Sequence, residues 1–103
     1  MRHLGALRGN GLLEGDGAAI GRVQYELDGY LVRRDEIVAS GEIHMDAGQL
    51  ADAFGRRTLV LRSDDGLALA LRFSGKRLAA GSTIAHVDVR EGLPAEKDWR
   101  RSG

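Results

Sequence analysis

Imidazole and carboxylate side chains recur at a spacing of two in two separate parts of the chain: Glu42, His44 and Asp46 in one run, His86 and Asp88, followed by Arg90, in the other. Alternate residues of a strand share a face, so each run presents its polar set on one side. If the two runs were neighbours, His44, His86, Glu42 and Asp88 would form a candidate site for a divalent metal held by nitrogen and oxygen. The same spacing is also that of an ordinary solvated strand face, and Asp46 has a competing role as a helix cap. A second carboxylate pair follows from the register expected between residues 21–45, which sets Glu26 opposite Glu42. Two carboxylates with separated pKa values can do acid–base work. An open sheet face lacks the dry pocket such work uses, and Arg22, Arg62 or Arg72 could screen the pair instead.

Other catalytic chemistry has little to draw on. The chain has no cysteine, which excludes disulfides, zinc–thiolate sites and thiol nucleophiles. None of its serines, Ser40, Ser63, Ser74, Ser82 and Ser102, lies in a Gly-x-Ser-x-Gly elbow. The glycines before residue 18 could suggest a phosphate loop, but an alternating run follows them and not a helix start. No catalytic residue and no cofactor is assigned.

Four basic pairs, Arg33–Arg34, Arg56–Arg57, Lys76–Arg77 and Arg100–Arg101, fall between the alternating runs or after the last of them. Gathered on one rim beside Tyr25 or Tyr30, the first three pairs would be a candidate surface for single-stranded nucleic acid. Acidic residues interleave throughout, and both tyrosines take inward phases, which weighs against a polyanion. Trp99 and Arg100 are of the types that most often anchor interfaces. With Val60, Ala68 and Ala70 they make a candidate interface to a protein partner or a second copy.

The elements that must position these groups are strands. Val23, Tyr25 and Leu27 alternate with polar residues, and Ile37, Ala39, Gly41, Ile43 and Met45 form the returning inward row. Asp28–Gly29 is expected as a β-bulge opposite Ser40, which moves Tyr30 inward; a two-residue type I′ turn is the alternative. Asp46, with Gln49 three residues on, resembles a capping box and starts a short helix near residues 47–54, with Leu50, Ala51 and Phe54 on one face. Residues 58–62 and 67–73 form a hairpin around Ser63–Gly66 that sets Leu61 against Leu69 and Leu59 against Leu71. A last strand runs over residues 83–90 with Ala85, Val87 and Val89 inward.

With 103 residues, 43% hydrophobic and 29% charged, the chain is one globular domain. Basic and acidic residues both number 15, so no net field draws in a polyanion, although charge can still segregate on one face. No run is apolar enough for a membrane span, and a cytoplasmic location is the default expectation. The fold class expected is all-β: a small antiparallel barrel of six to seven strands with one short helix, OB-like or of a related small-barrel topology. The domain is placed at residues 1–94, with residues 1–17 an edge strand or flexible Gly-rich arm and 95–103 a charged, mobile tail. The function expected is a non-enzymatic binding or interaction module, with homodimer formation through a sheet face as one form. An OB-like nucleic-acid binder and a metal-dependent enzyme using His44 and His86 are the alternatives.

Overall fold

Alternating apolar residues produce six strands and one helix in a computed structural model, which describes residues 1–99: β1 (Arg2–Gly15), β2 (Ala18–Arg33), β3 (Glu36–His44), α1 (Ala47–Phe54), β4 (Leu59–Ser63), β5 (Ala68–Phe73) and β6 (Ile84–Glu91). A single 3-10 turn at Glu96–Asp98 follows. Every pairing is antiparallel, and the strands close into a ring in the order β1-β2-β3-β6-β5-β4. Two three-stranded meanders are thus joined by the helix and sewn along two seams, β1 to β4 and β3 to β6. The helix after the third strand matches the expected order; the ring holds six strands, one more than the five of an OB barrel.

The Gly-rich start is neither an edge nor a flexible arm. It is the 14-residue strand β1, paired along its length with β2 and over Gly11–Gly15 with β4. Its inward row is mostly glycine, and neighbouring groups fill the space: a Cβ on Gly9 would lie 3.1 Å from the Tyr25 hydroxyl. Gly15 and Ala18 flank a two-residue turn in which Asp16 and Gly17 both have positive φ, 52° and 87°. This is the type I′ geometry that Asp-Gly favours. The turn is pinned to the entry of β4, because the Asp16 amide donates to the Thr58 carbonyl at 2.8 Å and Asp16 Oδ1 accepts from the Thr58 amide at 3.0 Å.

Asp28–Gly29 is neither bulge nor turn. Strand β2 runs straight through it, with Asp28 opposite Ser40, Gly29 opposite Ala39 and Tyr30 opposite Val38; the register slips only between Leu31 and Arg33. The pairs Leu27–Gly41, Tyr25–Ile43 and Glu26–Glu42 hold as expected. Because parity does not flip, Gly29 is the inward residue and Tyr30 faces out beside His3, ring centroids 5.2 Å apart.

The inward rows of the strands meet as the main core, in which Leu13, Leu27, Ile43, Leu61, Leu69 and Val87 are fully buried. Asp46 caps α1, its carboxylate accepting from the Gln49 amide at 3.0 Å. Leu50 and Ala53 seal that end of the ring, while Ala51 is exposed, so the buried face of the helix is turned from the expected one. The β4–β5 hairpin has the expected register, with the Ser63 hydroxyl accepting from the Leu67 amide at 2.8 Å.

A second, smaller core closes the opposite end. Trp99 packs with Leu4 and Ala39 and is only 7% exposed. Its indole lies directly on Gly29, where any side chain would collide with the ring, and its Nε1 donates to the Pro94 carbonyl at 3.1 Å. Residues 95–99 are therefore docked on the barrel, an ordering that the charged composition of the segment conceals. No helix among the described residues is long and apolar enough to cross a membrane.

Candidate functional site

The outer face of the β3–β6 seam brings together three of the four candidate metal ligands. Glu42 is the cross-strand partner of His86, and His44 lies two residues along. The carboxylate divides its oxygens between the imidazoles, Oε1 at 3.5 Å from His44 Nε2 and Oε2 at 3.4 Å from His86 Nε2. Asp88 turns away to Arg72, 3.7 Å distant. Among the described residues no three His, Cys, Asp or Glu side chains converge to hold a metal ion.

The Glu26–Glu42 juxtaposition is real, but the expected arginines do not screen it. Arg8 reaches Glu26 at 3.2 Å, and the two histidines face Glu42. Arg22 is committed to Asp64 through two contacts of 3.0 and 2.6 Å, and Arg62 to Glu14 at 2.8 Å. The donated hydrogen bonds from Arg22 hold the Asp64 carboxyl below its ordinary value. In the core, burial pushes the Tyr25 phenol up.

The basic pairs do not share one rim. Arg33 and Arg34 sit at the β2–β3 turn, at the end of the ring closed by Trp99, whereas Arg56 and Arg57 precede β4 at the helix end. Arg100 and Arg101 lie outside the described residues. Arg56, Arg57 and Lys76 do converge, and Arg72 from β5 and Arg90 from β6 join them around a groove of about 420 Å³. Arg90 is the extra residue of a bulge, since Ala70 pairs with Glu91 and Leu71 with Val89. Bulges re-aim side chains in this way. Arg77 lines the neighbouring cleft beside Phe54.

The groove wall is completed by Phe54, Phe73, Leu59, Leu71 and Gly75, with no carboxylate among its lining residues. Phe54 and Phe73 are half-buried and packed together, ring centroids 4.8 Å apart and planes at 49°. Two of the five cations have carboxylate partners: Arg56 with Asp52 at 3.2 Å and Arg72 with Asp88 at 3.7 Å. Among the described residues Arg57, Lys76 and Arg90 have none, so five cations less two carboxylates leave a local charge of +3. In a chain of zero net charge this is a marked segregation. Arg72, Arg90 and the phenylalanines were not gathered by sequence reasoning. Phe54 comes from α1, Arg72 and Phe73 from β5 and Arg90 from β6, and only the antiparallel β5–β6 pairing and the helix's place against it bring them together.

The candidate interface is divided as well. Val60 pairs with Ala70, next to the pair of Arg62 and Ala68, on the outer face of β4 and β5. Trp99 is buried against the far end of its own barrel and does not reach that face. No family model, curated protein or solved structure matches the chain.

Proposed function

We propose that this protein is a non-enzymatic binding module whose working site is the cationic groove between α1 and the β5–β6 edge, and that it takes a compact anionic ligand. The observation that carries the reading is the convergence of five cations, with a surplus of three, on one groove of small-ligand size. Its lining offers no carboxylate, imidazole, thiol or hydroxyl side chain for acid–base or nucleophilic work. It offers donors only, in the fork geometry that suits phosphate and carboxylate oxygens. A nucleic-acid strand is less well served, because a strand needs a continuous cationic track and Arg33 and Arg34 lie at the other end of the ring.

Calorimetric titration of the full chain with inorganic pyrophosphate tests this. Binding is expected at low salt, weakening as ionic strength rises, and lost on changing both Arg57 and Lys76 to Glu while Tm is retained. Absence of heat at low salt, or unchanged binding in the double variant, would refute it.

A further inference from the structure

The groove is more than a charged surface, because its cations stand around an aromatic wall. A simple inorganic anion would engage Arg57, Lys76 and Arg90 and leave Phe54 and Phe73 facing water. The buried Leu59 and Leu71, each 3% exposed, extend the apolar wall behind them. A ligand that satisfies both halves must carry negative charge at one end and a flat apolar ring at the other. The amount of charge is also constrained. A terminal phosphate carries about −1.5 to −2, so a local surplus of +3 is met by two linked phosphates better than by one phosphate or one carboxylate. The size of the groove is also that of a small-ligand site: such sites span about 300–1,000 Å³, and this open groove offers about 420 Å³.

We infer that the groove binds a nucleoside diphosphate, the phosphates held by Arg57, Lys76 and Arg90 and the base packed on Phe54 and Phe73. This rests on the anion-binding reading above and adds the ring to it. The lining side chains carry no hydrogen-bond acceptor, and a side chain needs one to complete a pairing with an adenine or guanine edge. Base identity is therefore read by stacking alone, which accepts any base because every base has a π-face.

The experiment titrates the full chain with ADP, inorganic pyrophosphate, adenosine and a ten-residue oligodeoxyadenylate in the same low-salt buffer. ADP is expected to bind at least about fivefold more tightly than pyrophosphate, as stacking of one base on an aromatic side chain implies. Adenosine alone should bind more weakly than either. Phe54→Leu should remove that advantage while leaving pyrophosphate affinity within about twofold, and pyrophosphate affinity also reports that the groove is still folded. Phe73→Leu provides the same test should Phe54→Leu fold poorly. If pyrophosphate binds and ADP binds no better, or if neither variant reduces the ADP advantage, the nucleotide inference is overturned and the anion site stands. If the oligonucleotide outcompetes ADP, the inference is overturned in favour of a strand. If neither ADP nor pyrophosphate binds, both readings fall together.

Discussion

Gly29 and Trp99 form a lock whose two halves can be changed independently. The indole rests on the Gly29 backbone, where a Cβ would run into the six-membered part of the ring. Changing Gly29 to Ala must therefore either displace the barrel wall or expel the indole. Forcing a methyl into a packed site costs about 1–3 kcal/mol. Expulsion caps that figure: it forfeits the burial of a side chain only 7% exposed, but returns backbone entropy of about 1–2 kcal/mol for each released residue. A net loss of about 1–3 kcal/mol is expected, lowering Tm by roughly 5–20 °C in a domain of this size. The sole tryptophan of the chain reports the mechanism directly, since its emission should shift to the red and become open to acrylamide while far-UV dichroism stays that of the barrel. The decisive measurement repeats Gly29→Ala in a Trp99→Ala background. Removing the indole takes away the nearest atoms that oppose the methyl, and a strand alanine replaces glycine with a gain of about 0.5–1 kcal/mol. The substitution should thus change sign, from destabilising to stabilising. Equal costs in the two backgrounds would show that the lock does not exist.

Three further outcomes follow from the hydrogen bonding and titration of the fold. Burial raises the Tyr25 phenol, so its share of stability is complete below the ordinary tyrosine value of about 10 and is lost as pH rises through the folded value; Tyr25→Phe should flatten the alkaline limb of a pH–stability curve. Arg22 lowers the Asp64 carboxyl, so that pair stabilises the fold above the ordinary Asp range and ceases to do so as pH falls through the folded value. Arg22→Gln should move the Asp64 titration upward, read by carboxyl NMR. Asp46→Ala removes the cap on the Gln49 amide and should cost about 0.5–2 kcal/mol in denaturant unfolding, less being expected if water replaces the carboxylate.

Much of the barrel was legible because period-two alternation survives wherever both inward neighbours carry side chains. Tyr25 with Ile43 and Leu61 with Leu69 are such pairs, and their register was readable. Strand β1 hid itself because its inward row is mostly glycine, so Leu13 and its few apolar companions are too widely spaced to read as a buried face, and at Gly9 it is Tyr25 of the next strand that supplies the bulk. Asp28–Gly29 misled for the same reason. A lone inward glycine reads as punctuation, and its purpose is visible only once Trp99, seventy residues later, is seen to occupy the vacant volume. The true type I′ turn carried the same Asp-Gly dipeptide, at Asp16–Gly17. Of the site, Arg56, Arg57 and Lys76 were recognisable as basic pairs. Their union with Arg72, Arg90 and the two phenylalanines depends on the β5–β6 pairing and its bulge, which alternation alone does not encode.

The two seams also govern how the chain reaches this state. Residues 2–44 can zip into a meander through local turns, but its outer edges, β1 and β3, wait for partners that come much later: Gly11 meets Ser63, and Glu42 meets His86. Ring closure thus requires joining stretches roughly forty to fifty residues apart in sequence, and such non-local pairing slows folding. Until β6 arrives, β3 and β5 both present unpaired backbone, the kind of edge that recruits other chains. Strand β6 is accordingly the keystone, and a lesion in residues 84–91 should express itself first as aggregation during folding, before any loss in the stability of molecules that have already closed.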